Sequence, residues 1–324
     1  MKSFPLGAGA LAAFLWFGSA HAAAPFSATH ASGVQRMALG AFEVTALSDG
    51  TVTIPLDKLL TGVTPATLAA ALGRAKLAPM AETSINAFLI NTGAALVLVD
   101  TGAGDSFKDQ VPARAGRLLD SLRNAGYTPE QVDAVLLTHI HGDHSGGLSK
   151  DGKARFPNAL VYVDRREAEF WLNRDNLKKA GAGQAHAFDE AAAMLGAYVA
   201  AGRLKTFDGA GAGELVPGVP GIRALPSYGH TPGHSRYVIE SEGQKLVLWG
   251  DLIHAGAVQF PYPGTTIRFD VDSKAAALQR AREMADAARQ GYWVGAAHLP
   301  FPGIGQVRAE GKAYQWVPVN YSAW

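Results

Sequence analysis

The stretch Thr138-His139-Ile140-His141-Gly142-Asp143-His144-Ser145-Gly146-Gly147 places three histidines and one aspartate within six residues. It follows residues 134–137, Ala-Val-Leu-Leu, an apolar run that predicts a short buried strand. The glycines and the serine around the last histidine predict that the strand breaks into a loop. Imidazole nitrogens and carboxylate oxygens at the end of a strand suit zinc or a neighbouring first-row metal. A polar turn with incidental histidines is the alternative.

The spacing within this stretch predicts two groups of ligands. In an extended chain His139, His141 and Asp143 would share one face, because side chains alternate with a period of two. Gly142 permits a turn that directs His144 elsewhere. The chain contains no cysteine, so thiolate ligands and disulfides are excluded.

Length and charge narrow the class of protein. The 324 residues are 48% hydrophobic, which is ample for a core, and α/β domains of this length can be single. The net charge is +1 and no long basic run occurs, so nothing favours binding to nucleic acid or to an anionic membrane. We therefore predict a small-molecule ligand, with neither nucleic acid nor a membrane as a partner.

The first 22 residues have the pattern of a signal peptide. Lys2 supplies a positive charge, residues 6–17 are apolar or small, and Ala20-His21-Ala22 fits a small-X-small cleavage site. This pattern predicts a periplasmic or secreted protein whose mature chain, residues 23–324, is a single domain. The apolar run is too short to span a bilayer, and a buried first helix is the alternative.

Strands and helices alternate along both halves of the chain. Residues 85–91 and 95–100 are apolar runs around Thr92-Gly93-Ala94, which predicts a hairpin. The predicted helices cover residues 114–125, 189–200 and 274–290. This repeated order, with the histidine-rich stretch at a strand end, predicts the α/β class.

Three later motifs complete a pattern. They are Gly229-His230-Thr231-Pro232-Gly233-His234, Gly250-Asp251 after the apolar residues 245–249, and Ala297-His298. Together with His-X-His-X-Asp-His, they resemble the metal-binding signature of the metallo-β-lactamase superfamily in order and spacing. The resemblance implies a four-layer αβ/βα sandwich with the ligands at the ends of strands.

The same resemblance implies two divalent metal ions, zinc first, with manganese, iron or cobalt as alternatives. One ion would be bound by His139, His141 and His230, the other by Asp143, His144 and His298, and Asp251 would bridge both. A water shared by the ions would attack an ester carbonyl or a phosphorus, and Asp143 or Asp251 would carry the proton. His234 would orient His230.

Longer stretches resemble one group within the superfamily, the methyl parathion hydrolases, which hydrolyse aryl phosphotriesters and aryl lactones or esters. These stretches include residues 155–159, 229–237 and 298–305, within a likeness that runs from about residue 80 to the end. The resemblance implies a homodimer. It also implies a leaving-group pocket lined by Trp171 and Phe188, for which core packing is the alternative.

His254 departs from the pattern of the phosphotriesterases in that group, in which we expect an apolar side chain three residues after the bridging aspartate. A histidine makes the pocket smaller and more polar, which favours a lactone or aryl ester of the dihydrocoumarin type over a dialkyl aryl phosphotriester. A simply packed histidine is the alternative for His254. Alternatives for the whole protein are an organophosphate phosphotriesterase, an iron-dependent oxidoreductase with the same ligands, and a binding protein with an inactive site.

Overall fold

The computed structural model describes residues 1, 31–106, 114–178, 185–209 and 214–322. Except for Met1, the predicted signal peptide and its cleavage site lie outside these ranges. Residues 32–324 form one compact unit.

Strands and short helices alternate along the described chain. The strands are β1 (Val34–Leu39), β2 (Phe42–Pro55), β3 (Leu60–Thr61), β4 (Met80–Asn91), β5 (Leu96–Val99), β6 (Ala134–Leu136), β7 (Ser149–Lys150), β8 (Lys153–Ala154), β9 (Leu160–Asp164), β10 (Leu204–Phe207), β11 (Ile222–Pro226), β12 (Ser235–Ser241), β13 (Gln244–Leu248), β14 (Thr266–Ile267), β15 (Trp293–Gly295), β16 (Ile304–Glu310) and β17 (Ala313–Pro318). The helices are α1 (Leu56–Leu59), α2 (Pro65–Arg74), α3 (Leu118–Asn124), α4 (Gly142–Ser145), α5 (Arg165–Trp171), α6 (Ala185–Ala200), α7 (Gly256–Gln259) and α8 (Ser273–Gln290). Single 3₁₀ turns cover Pro129–Gln131, Arg174–Lys178 and Gly250–Leu252.

Two large sheets carry the fold. One has seven strands in the order β1-β2-β4-β5-β6-β9-β10, and the other has six in the order β11-β12-β13-β15-β16-β17. The predicted hairpin around residues 92–94 is confirmed, because β4 pairs antiparallel with β5. β5, β6, β9 and β10 are parallel, and β5 and β6 are apolar along their whole length because both faces of a parallel strand are covered.

Three apolar layers separate four layers of secondary structure. Between the two sheets, Phe88 and Val97 of the first sheet belong to the same core as Tyr237 and Leu246 of the second. The outer face of the first sheet packs on α3, α5 and α6, and the outer face of the second packs on α8. The order helix, sheet, sheet, helix confirms the predicted four-layer αβ/βα sandwich, an α/β fold.

Two helices differ from their predicted bounds. The helix predicted over residues 114–125 is only α3, because the chain turns at Gly116, whose φ is 83°. The buried carboxylate of Asp49 accepts hydrogen bonds from the N–H groups of Gly116 and Leu118 and stabilises this turn. The helix predicted to start at residue 189 already includes Ala185, so Asp189 lies inside α6, where it pairs with Arg174.

The helix predicted over residues 274–290 agrees with α8. Asp272 caps its first turn by accepting a hydrogen bond from the N–H of Ala275, and Gly291, with a φ of 68°, ends it. Within the described ranges, no helix has both the length and the apolar composition that crossing a bilayer requires.

Candidate metal centre

Strand ends bring the ligand-bearing loops together at one edge of the sandwich. The loops that follow β6, β11, β13 and β15 carry His139, His230, Asp251 and His298 respectively. β11, β13 and β15 run in one direction, because β12 is antiparallel to both β11 and β13, and β13 is parallel to β15. Their carboxyl ends therefore meet at the same edge, with the end of β6 beside them.

The first ligand group consists of three imidazoles and one carboxylate oxygen. Nδ1 of His141 lies 3.1 Å from Nε2 of His139 and 3.1 Å from Nε2 of His230. Oδ2 of Asp251 lies 3.2 Å from Nε2 of His230 and 3.6 Å from Nε2 of His139. These four atoms can converge on one ion.

The second ligand group lies on the other side of Asp251. Oδ1 of Asp251 is 2.9 Å from Nε2 of His144 and 3.0 Å from Nε2 of His298. Oδ2 of Asp143 is 3.7 Å and 3.4 Å from the same two nitrogens. Each oxygen of Asp251 therefore faces one group, which is the arrangement of a bridging carboxylate.

The arrangement of the nitrogen and oxygen atoms suits binding of divalent cations better than hydrogen bonding between the side chains. Nε2 of His144 and Oδ1 of Asp251 are buried and 2.9 Å apart, yet neither makes a hydrogen bond of acceptable geometry with a described residue. Buried nitrogen and oxygen atoms that converge without a well-formed hydrogen bond between them are suited to a bound cation. A set of nitrogen and oxygen ligands suits zinc and its neighbours in the first row.

The turn at Gly142 decides which ligand joins which group. α4 begins at Gly142, so Asp143 and His144 lie on a helical turn and not on an extended chain. Asp143 therefore groups with His144 and His298, in agreement with the ligand sets that the resemblance implies. The shared face of His139, His141 and Asp143, predicted from the period of two, is wrong because the chain is not extended here. All seven predicted ligands lie in the two groups.

Several histidines of the two candidate ligand groups make a hydrogen bond through Nδ1, the ring nitrogen that faces away from the centre. Nδ1 of His144 is 2.9 Å from Oδ2 of Asp100, and Nδ1 of His230 is 2.9 Å from Oδ1 of Asp270. Nδ1 of His298 is 2.9 Å from the carbonyl oxygen of Ser84. Such partners fix the ring orientation and leave Nε2 free to bind a metal.

The ionisable side chains of the two ligand groups differ widely in pKa. Burial, reinforced by His230, lowers the pKa of His141 to about 3. Burial also acts to lower the pKa of His144 and His230, but nearby carboxylates outweigh it. Asp251 raises the pKa of His144 well above its usual value, and Asp251 with Asp270 raises the pKa of His230 to about 9. Burial acts to raise the pKa of Asp251, but the surrounding imidazoles hold it well below its usual range, so this carboxylate is ionised.

The prediction that His234 orients His230 is wrong. Its Nε2 accepts a hydrogen bond from the backbone N–H of Asp251 at 3.0 Å, and its Nδ1 donates to the carbonyl oxygen of Ser227 at 3.1 Å. Burial lowers the pKa of His234 to about 3, which keeps the ring neutral and able to accept. Tertiary packing decides these partners, because the loop after β13 approaches His234 and the loop before α8 approaches His230.

Trp171 and Phe188, the predicted pocket residues, pack in the core. Each side chain is 1% exposed, and their ring centroids are 4.9 Å apart where α5 meets α6. Trp171 reaches the centre only by an edge-on contact with His141, at 5.4 Å between centroids. Their role in binding a leaving group stays a prediction that this packing does not support.

His254 lies at the centre itself. Its Nε2 is 3.0 Å from Oδ2 of Asp251, and its ring stacks on His298 with centroids 5.2 Å apart. Asp251, His254 and His298 form a third set of atoms close enough to share an ion. The ring centroid of His254 also lies 6.3 Å from that of Phe269, which is 39% exposed.

The sequence does not identify Asp270, which hydrogen-bonds His230, or Glu167, which hydrogen-bonds the backbone of the loops that carry His139, His141 and His230. Both are buried carboxylates that no metal motif contains. Asp270 precedes α8. An acidic residue at such a position is expected as a helix cap, so it does not indicate a metal site. Glu167 lies in the first turn of α5, where acidic residues are equally common.

Replacing Asp270 by asparagine is expected to weaken zinc binding at the first ligand group by about 10–100-fold, because the orienting charge on His230 is lost. A competition titration with a chelating indicator measures this. Asp272→Asn is the matched control, since Asp272 only caps α8 and asparagine caps as well as aspartate. Equal zinc affinities of the two variants would contradict the role given to Asp270.

A sandwich of this kind with paired histidine and aspartate ligand groups at its strand ends defines a class of metal-dependent hydrolases. The chain belongs to the metallo-beta-lactamase superfamily, whose profile matches residues 80–289.

Comparison with solved structures and curated sequences places lactonases among the similar proteins. Hydrolase AbOPH, in the beta lactamase superfamily, is 35% identical with a TM-score of 0.83, covering 91% of this chain and 100% of that chain. AidC, a dizinc quorum-quenching lactonase, is 29% identical with a TM-score of 0.80, covering 90% and 98%. An N-acyl homoserine lactonase of Bacillus thuringiensis is 26% identical over 176 residues. That match covers 50% of this chain, which spans only 60% of the relative's length. The narrower resemblance to methyl parathion hydrolases stays a prediction.

Proposed function

We propose that this protein is a dinuclear metal-dependent hydrolase that opens lactones and cleaves aryl esters. The observation that carries the proposal is the position of Asp251, whose two oxygens face two separate ligand groups. Support for lactones comes from AidC and from the Bacillus thuringiensis relative, both of which are lactonases.

Two bound divalent ions would supply Lewis acidity and lower the pKa of a water between them. The chain's own residues position the rest. Asp251 is ionised and buried, so it holds negative charge between the two groups. Asp143 is the more exposed of the two carboxylates, with 18% of its side chain accessible, and is placed to pass a proton to solvent.

His254 supports the choice of a lactone over a phosphotriester. Its imidazole lies against both Asp251 and His298, so a polar ring fills the space beside the two groups. A flat cyclic ester needs less room at this position than a tetrahedral phosphorus with two alkoxy groups and an aryl group. Aryl lactones of the dihydrocoumarin type and N-acyl homoserine lactones are therefore the two substrate classes to compare.

The test is a set of initial rates at saturating zinc on an aryl lactone, an N-acyl homoserine lactone and a dialkyl aryl phosphotriester. We expect the wild-type protein to hydrolyse a lactone at least about 10-fold faster than the phosphotriester, a difference within the reach of one pocket contact. Phosphotriester turnover above lactone turnover would instead make this protein a phosphotriesterase. A rate that a chelator does not change would contradict both activities.

The variant His254→Leu is expected to lower the ratio of lactone to phosphotriester rates by about 10–100-fold, because the apolar side chain accommodates the bulkier ester. His186→Leu makes the same chemical change at an exposed position of α6 and should leave the ratio unchanged. An unchanged ratio in His254→Leu would remove His254 from substrate selection while leaving the hydrolase proposal intact.

Zinc is the metal we propose, in line with the donor set and with the dizinc neighbour AidC.

A homodimer and a periplasmic or secreted location are also part of the proposal, and both rest on the sequence alone. Gel filtration of the mature chain and fractionation of expressing cells are the corresponding measurements.

A further inference from the structure

Glu167 is a fully buried carboxylate behind the metal centre. It lies in α5, its side chain is 0% exposed, and it belongs to neither ligand group. Its Oε1 accepts hydrogen bonds from the backbone N–H of Ile140 at 3.0 Å and from the indole N–H of Trp171 at 2.7 Å. Its Oε2 accepts from the backbone N–H of Gly233 at 2.8 Å. Burial of an ionisable group is tolerated here because N–H donors surround both oxygens.

The two backbone donors belong to the two loops that carry the first ligand group. Ile140 is the residue between His139 and His141, and Gly233 follows His230 by three positions. One carboxylate thus joins the loop after β6 to the loop after β11. The second ligand group is held by other contacts, because His144 bonds Asp100 and His298 bonds the carbonyl of Ser84.

The approach of the second loop to Glu167 is too close for any side chain. A Cβ atom on Gly233 would lie 2.4 Å from the backbone nitrogen of Glu167 and 2.6 Å from its Cβ. The loop therefore rests directly on the first turn of α5, independently of the hydrogen bond. Trp171, one turn later, contacts His141 with its ring and Glu167 with its N–H.

A carboxylate is needed for this junction because both of its oxygens accept. Glutamine keeps one accepting oxygen, but its NH₂ group would face an N–H donor of one loop. An unpaired buried donor is destabilising, so one of the two loops would move away from α5. A shift of either loop alters the 3.1 Å separations among the three ligating nitrogens.

We propose that Glu167 is a positioning residue that sets the distance between the His139–His141 loop and His230, and so determines metal affinity at the first ligand group. This inference rests on the dinuclear centre proposed above. Glu167 acts through the backbone of the two loops and touches neither a substrate nor a ligating atom.

The test compares zinc content and zinc affinity of the wild-type protein and Glu167→Gln. We expect wild type to retain two zinc ions per chain after dialysis against a competing chelator, and the variant to retain one. Affinity at the weakened site should fall by about 10–100-fold, as for other partners that orient metal ligands. Added zinc should restore turnover of the variant, which loss of folding would not allow.

Asp49→Asn is the matched control. Asp49 is also 0% exposed and accepts three backbone hydrogen bonds, from Ala103, Gly116 and Leu118, but it does not bind the loops of the first group. The control should lose thermal stability and keep both zinc ions. Equal loss of zinc in the two variants, or unchanged zinc affinity in Glu167→Gln, would overturn the proposal.

Gly233→Ala provides a second route to the same result if Glu167→Gln does not fold. Its added Cβ displaces the second loop from α5 and leaves the carboxylate in place. We expect the folded fraction, isolated by gel filtration, to bind zinc weakly at one site, and full affinity at both sites would count against the proposal. Wild-type protein with only one zinc ion would contradict the dinuclear centre. In that case, weaker binding of the single ion in Glu167→Gln but not in Asp49→Asn would still support the role of Glu167, and equal binding in both would overturn it.

Discussion

Replacement of Asp251 by asparagine is expected to lower kcat on lactones by about 10²–10⁴-fold, the range typical of a lost acid–base group. Zinc content should fall as well. Each ligand group faces one of the two oxygens of Asp251, and asparagine has only one oxygen to offer. Both groups lose the negative charge of Asp251, and the group that meets the amide NH₂ also loses an oxygen donor. Steady-state kinetics at saturating zinc and metal analysis of the dialysed variant measure the two effects.

Asp164→Asn serves as the control for this variant. Asp164 is a buried aspartate that accepts hydrogen bonds from the N–H groups of Arg166 and Gly209, and it belongs to no ligand group. It reports what the loss of a buried carboxylate does to stability alone. Wild-type turnover and full zinc content in Asp251→Asn would refute the bridging role.

Removal of the metal is expected to abolish hydrolysis and to lower Tm by roughly 5–10 °C, since a ligand at 100 times its Kd stabilises the folded state by about 2.7 kcal/mol. Thermal unfolding and initial rates should be recorded before chelation, after chelation and after zinc is restored. The loss should be reversible, because the ligands lie on packed strand ends of the folded sandwich.

The control is the same chelator already saturated with zinc, which should change neither rate nor Tm. Hydrolysis that survives in protein shown to be free of metal would contradict a metal-dependent mechanism. Iron-loaded protein that consumes oxygen and does not hydrolyse lactones would instead favour the oxidoreductase with the same ligands.

The expected effects of Asp251→Asn and of metal removal have one cause, which is the concentration of charge around Asp251. Four imidazoles, those of His144, His230, His254 and His298, lie within 3.2 Å of its two oxygens. Without a cation, these rings and the carboxylates must share protons, as the raised pKa values of His144 and His230 indicate. Bound divalent ions would replace those protons, and the imidazoles of the two ligand groups would then act as neutral ligands.

The ligands themselves could be predicted from the sequence. His139, His141 and His144 lie within a few residues of one another after a strand, so their chemistry is visible in one short stretch. The resemblance of the later motifs to the superfamily signature then implies His230, Asp251 and His298 as the remaining ligands. The alternation of strands and helices predicted the layers, because hydrophobic periodicity is a local property of the chain.

The contacts behind the ligands depend on which backbones meet in three dimensions, and no local pattern carries that information. The sequence pattern predicts that His234 orients His230, but in the fold His234 contacts the backbone of Asp251, 17 residues away. The pattern also predicts Trp171 in a pocket, but its ring is buried between α5 and α6. Asp270 reaches His230 across 40 residues, and Glu167 reaches Gly233 across 66. Hydrogen bonds extend only about 3 Å, so the folded loops alone decide these partners.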